Sequence, residues 1–122
     1  ALLARKTGDL RVALDHAERA VALAPGNEEH VVLLGETLSM AGDAAAAVHA
    51  FQSARSRGLA GHVLRRQHAI ALLQAGDPAR ALALLQGCVE HNPTDQRAIA
   101  HLGVALASLG RVDDAVDWLG LD

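Results

Sequence analysis

The sequence predicts an all-α protein built as a stack of helical hairpins, and three observations carry that prediction. Gly8, Gly42, Gly76 and Gly110 stand 34 residues apart, and Ala13, Ala47, Ala81 and Ala115 repeat the interval five residues later. Small residues at fixed places in such a period suit a stack of similar hairpins, each of which buries its apolar face only against its neighbours. The third observation is compositional: 51% of residues are hydrophobic, yet only 2% are aromatic and tyrosine is absent. A core drawn from Ala, Leu and Val fits close helix packing better than a sheet, where aromatic and β-branched side chains are favoured. At 122 residues the chain is read as one domain, 1–122.

The elements follow from punctuation and spacing. Helices are expected near 1–6 and 9–24, split by Gly8-Asp9 and stopped by Pro25-Gly26-Asn27. Next come 28–41 and 44–57. Here Val31, Leu34 and Leu38, then Ala47, Phe51 and Ala54, recur by three, four or seven, which is one helical face apiece. Between them, Gly42 can take the left-handed conformation that ends a helix, and Asp43 can cap the next by accepting from exposed amides. Helices near 62–75 and 78–91 are split by Gly76-Asp77-Pro78, with Pro78 at a first helical position where a missing amide hydrogen costs nothing. The last pair, 95–109 and 112–119, follows Asn92-Pro93-Thr94-Asp95 and turns at Gly110-Arg111. Eight helical segments are therefore expected. The joint Arg57-Gly58-Leu59-Ala60-Gly61 lacks proline and is expected to be the most mobile.

The formal net charge of -3 gives no electrostatic reason to expect nucleic acid or an anionic membrane. Residues 41–80 are nonetheless basic, with five positive groups against two negative: Arg55, Arg57, Arg65, Arg66 and Arg80 can meet an acidic partner segment or form a solvated surface. Solvation is the reading taken. Cys88 is the single cysteine, so no intrachain disulfide forms. No run reaches the roughly 18 apolar residues of a membrane span. The chain opens at Ala1-Leu2-Leu3-Ala4, without Met and inside a helical pattern, and is read as trimmed. The compartment stays open between cytoplasm and periplasm. Ten arginines against one lysine suggest a GC-rich, bacterial coding sequence.

The pattern resembles the tetratricopeptide repeat. Residues 28–61 supply Val31, Leu34-Gly35, Leu38, Gly42-Asp43, Ala47, Phe51 and Ala54; residues 62–95 supply His68-Ala69, Leu72, Gly76-Asp77, Ala81, Leu85, Cys88 and Pro93. Partial repeats 1–27 (Gly8-Asp9, Ala13, Ala17, Ala20, Pro25) and 96–122 (Ile99, Leu102-Gly103, Leu106, Gly110, Ala115, Leu119) keep the phase. The chain departs from the family at its aromatic places, mostly Ala or Leu, at Arg65, and at Leu59 where proline is usual. The resemblance implies a right-handed α-solenoid of antiparallel helix pairs.

It also implies a concave groove lined by the first helix of each hairpin. Carried onto this chain, the lining is Glu29, Val32, Glu36, Ser39 and Met40, then Val63, Arg66, Ile70, Leu73 and Gln74, then Arg97, Ala100, Val104, Ala107 and Ser108. An apolar floor with a few charges suits a helix or extended peptide of another protein, with Glu36, Arg66 and Arg97 fixing its orientation. Chaperone-binding members clamp a terminal carboxylate with Lys and Asn. Val32, Leu33, Glu36, Arg66 and Ile70 at those places cannot, which argues against that role.

Hidden chemistry finds little support. None of His16, His30, His49, His62, His68, His91 and His101 forms a helical i, i+4 pair, so no metal or cofactor is expected. Cys88 and His91 lie three apart, as a nucleophile and base would, but both occupy packing places of the repeat. His68 reads as a core histidine bonded to backbone or water. Trp118 is a candidate end-face anchor, against simple packing within the last hairpin. The sequence thus points to a non-enzymatic scaffold binding a protein or peptide. The alternatives are the non-catalytic repeat region of a larger enzyme of glycosyltransferase or oxygenase type, and a module that homo-oligomerises through its terminal repeats.

Overall fold

A computed structural model describes the backbone of residues 2–119 and the side chains of 8–111 and 113–117. Among the described residues seven helices form: α1 (Leu2–Leu23), α2 (Glu28–Met40), α3 (Ala44–Ser56), α4 (His62–Gln74), α5 (Pro78–His91), α6 (Gln96–Ser108) and α7 (Val112–Leu119). Each packs on the next, and α2 also packs on α4 and α4 on α6. This is an α-solenoid, with α2, α4 and α6 forming one layer and α3, α5 and α7 the other.

The turns show why the 34-residue period works. Gly42, Gly76 and Gly110 sit at φ +85°, +86° and +79°, a region that strains residues with a Cβ. At each, the amide three residues past the helix end bonds back into the last turn: Asp43 to the Leu38 carbonyl, Asp77 to Leu72 and Arg111 to Leu106, at 2.8–2.9 Å. Asp43 and Asp77 then cap the following helices by accepting from the Ala46 and Arg80 amides.

Gly8, expected to turn in the same way, does not. It lies inside α1 and is exposed, so the two segments expected at 1–6 and 9–24 are one helix. The physical reason is packing: a turn at Gly8 would break the backbone ladder, and exposed Ala13 offers no buried contact to offset that cost. Continuing through glycine costs only about 1 kcal/mol relative to alanine. Ala13 accordingly is exposed, whereas its register mates Ala47, Ala81 and Ala115 are buried.

Two neighbouring clusters fill the interior. Val31, Ala47, Phe51, Ala54, Leu64 and Ala71 form one between α2, α3 and α4. The other joins Ala69, Leu72, Leu85, Cys88, Leu102 and Leu106 across α4, α5 and α6, and Val48 packs against both. Phe51 lies over Gly35 so closely that a Cβ there would collide with its ring. Glycine at 35 therefore admits the one phenylalanine of the chain to the helix interface.

The 57–61 joint is tied more heavily than its composition suggests. Gly58 takes φ +96°, Leu59 donates to the Ala54 carbonyl at 3.2 Å, and its side chain packs against the first cluster. The α4 N-cap, Gly61, has no side chain with which to cap. Glu28 supplies one from the preceding hairpin, its Oε1 accepting from the Ala60 and Gly61 amides at 3.1 and 3.0 Å.

Candidate peptide groove

One turn of the period further on, the same connection recurs with its chemistry inverted. His62 occupies the place of Glu28, and Asp95, the α6 N-cap, the place of Gly61. His62 Nε2 donates to Asp95 Oδ2 at 2.6 Å, Arg66 Nη1 donates to the same oxygen at 2.8 Å, and Oδ1 caps Ala98 at 3.1 Å. Burial pushes this carboxyl up, but the bonds from Arg66, His62 and Ala98 outweigh it and hold the group well below the usual carboxylate range. The first residue of one hairpin thus secures the entry to the next, as acceptor at Glu28 and as donor at His62.

The groove layer lies beside these connections. Two cavities open between α2 and α4. The larger, about 400 Å³, is lined by Glu28, Glu29, Val32, Leu33, Glu36, His62, Val63 and Leu64. The second, about 270 Å³, is lined by Gly35, Glu36, Ser39, Met40, Phe51, Gln67, Ile70, Ala71 and Gln74. Glu36 borders both. Leu33, Met40 and Val63 are large apolar side chains left 49%, 65% and 46% exposed, so the floor is apolar and reachable.

Of the residues anticipated for the groove, Glu29, Val32, Glu36, Ser39, Met40, Val63, Ile70 and Gln74 line these cavities. Leu73 is half-buried against the second core cluster. Arg66 is turned to Asp95, with 14% of its side chain exposed, rather than presented to the groove. Arg97, Ala100 and Val104 are exposed on α6 and line neither cavity. Trp118 lies in α7, with its side chain outside the described residues. Leu33 and His62 were not anticipated as lining. Leu33 adjoins Val32, and His62 precedes Val63 at the start of α4, so both border the predicted face.

Four of the five arginines of the basic middle segment, all but Arg65, are engaged internally. Besides Arg66, Arg55 Nη1 donates to His68 Nδ1 at 3.3 Å, Arg57 bonds Ser53 and the Pro25 carbonyl, and Arg80 pairs with Asp77. His68 Nδ1 is therefore bonded to a guanidinium. Burial and the nearby Arg55 and Arg80 pull its pKa down to about 4, so it is neutral at pH 7. Cys88 is fully buried and its thiol is pushed up by that burial, the wrong direction for a nucleophile. His91 is exposed and stacks on His62 instead, with centroids 6.2 Å apart. Among the described residues no group of three His, Cys, Asp or Glu could hold a metal, and no helix is long and apolar enough to cross a membrane.

Comparison with known proteins places this geometry. Comparison with curated proteins finds no match. Among solved structures, the crystal structure of YrrB, a TPR protein with an unusual peptide-binding site, superposes with a TM-score of 0.75 at 24% identity, covering 97% of this chain and 61% of YrrB. MamA superposes at 0.79 and 21% identity, covering 93% and 67%, and a MamA RS-1 double mutant at 0.81 and 21%, covering 94% and 65%. The chain thus spans about three fifths of YrrB. Two models of the tetratricopeptide repeat match its sequence, over residues 1–60 and 72–121. With matches to both halves of the chain and helix pairs turning at Gly42, Gly76 and Gly110, this protein belongs to the tetratricopeptide-repeat family.

Proposed function

We propose that the chain is a protein-interaction scaffold that holds a peptide or helix of a partner in the groove between α2 and α4. The observation that carries this reading is the pair of adjoining cavities floored by exposed Leu33, Val63 and Met40. A monomer leaves large apolar side chains together in a concavity chiefly where something else covers them. Family membership and the peptide-binding site named for YrrB support the same reading.

The test is selection of binders from a displayed library of random dodecapeptides, followed by titration of the best peptides against Val63→Glu and Ile70→Glu. Both side chains are partly exposed, so the variants should fold, and each should weaken binding at least about tenfold by placing a charge on the floor. Unchanged affinity in both would remove the groove from consideration. Arg66 is a poor probe, because reversing it would also break the Asp95 connection.

A further inference from the structure

Resting on that groove reading, we infer that the occupant is a cationic apolar peptide, whose lysine or arginine side chains meet Glu29 and Glu36 while a large apolar side chain enters the cavity between them.

The inference comes from what the folded chain does with its charges. Sequence alone offers acidic and basic groups on the groove face, Glu36 together with Arg66 and Arg97. In the structure Arg66 is withdrawn to Asp95, and neither cavity has a lysine or arginine in its lining. The charged lining consists of Glu28, Glu29 and Glu36. Glu28 is engaged by the Ala60 and Gly61 amides. Glu29 and Glu36 are exposed, and among the described residues no hydrogen bond or ion pair engages either carboxylate. The groove therefore presents two uncompensated anions over an apolar floor. An acidic peptide would meet like charge there, which complementarity disfavours strongly.

Spacing adds detail. Glu29 and Glu36 are seven residues apart on α2, two helical turns or about 10 Å. Matching cations lie about three residues apart on an extended peptide, at about 3.3 Å per residue, or seven apart on a helix. An apolar side chain between them faces Val32, Leu33 and Val63.

The experiment is the same dodecapeptide selection run in parallel on wild type and on Glu29→Lys/Glu36→Lys, with circular dichroism confirming that the variant is folded. Wild type should enrich peptides carrying two or more Lys or Arg beside a large apolar residue, and the reversed variant should enrich Asp and Glu at the same spacing. For one synthesised wild-type binder, Glu29→Gln/Glu36→Gln should weaken affinity about tenfold, and raising NaCl from 50 to 500 mM should erode most of that difference. Binders that are neutral or acidic but still lost in Val63→Glu would overturn the charge assignment and leave the groove standing. Binders indifferent to Val63→Glu and Ile70→Glu, or none at all, would overturn both. A concentration-dependent dimer in light scattering, dissolved by Val63→Glu, would assign the groove to a second copy and refute the cationic peptide.

Discussion

Asp95 should be the most sensitive polar residue of the chain. Its side chain is 6% exposed, and it both caps α6 and accepts from His62 and Arg66. Replacement by alanine removes the cap, about 1 kcal/mol, and strips the largely buried guanidinium of Arg66 of its anion. With Arg66 still 14% exposed and able to recruit some water, the second loss falls just under the roughly 3–5 kcal/mol of fully buried pairs, at about 2–3 kcal/mol. Asp95→Ala should therefore cost about 3–4 kcal/mol. Asp95→Asn keeps an acceptor for the Ala98 amide and loses only the charge, so it should cost about 1 kcal/mol less. Urea unfolding at pH 7 followed by far-UV circular dichroism would measure both differences. An Asp95→Ala loss below about 1 kcal/mol would mean that the connection between α4 and α6 does not hold the stack together. Identical losses for Ala and Asn would mean that the cap contributes nothing.

Three further predictions follow from the same structure. Gly8→Ala should stabilise by about 0.5–1 kcal/mol, because Gly8 is helical with open space around an added Cβ, whereas Gly76→Ala, at φ +86°, should destabilise by about 1–2 kcal/mol; thermal melts that move both the same way would refute the continuous α1. Gly35→Ala should destabilise by about 1–3 kcal/mol through collision with Phe51, and the double variant with Phe51→Leu should recover part of it. His68 has its folded pKa lowered from 6.5 to about 4, so the unfolded chain binds more protons between those values and stability falls as pH drops from 6.5 to 4. The slope approaches about 1.4 kcal/mol per unit, for at most about 3 kcal/mol, and His68→Phe should flatten urea midpoints across that window.

Much of the fold was legible because a solenoid writes its geometry into a fixed period. Gly42, Gly76 and Gly110 turn where the 34-residue spacing places them, and several of the residues lining the cavities between α2 and α4 follow from the same phase. Gly8 misleads because register specifies a place, not the neighbour that makes a turn there worthwhile: Ala13 is exposed, so nothing is gained by folding residues 1–6 back upon it. The charges were legible only in part. Arg66 reads as a groove residue by position, but its partner Asp95 lies 29 residues away at the next helix entry. The signal was available in the period itself, since His62 and Arg66 stand one turn apart on α4 and the following N-cap is the acid that can receive both. The Arg55–His68 bond left no such trace, because a buried histidine looks alike whether its partner is a carbonyl, a water or a guanidinium.

Amide chemical-shift mapping of the ¹⁵N-labelled chain with a selected dodecapeptide tests the groove most directly. The account predicts that the largest perturbations cluster on the shared face of α2 and α4, around Val32, Leu33, Glu36, Val63 and Ile70, with α3 and α5 little changed. Perturbations concentrated on α3 and α5, or confined to α1 or α7 at the ends of the stack, would contradict it.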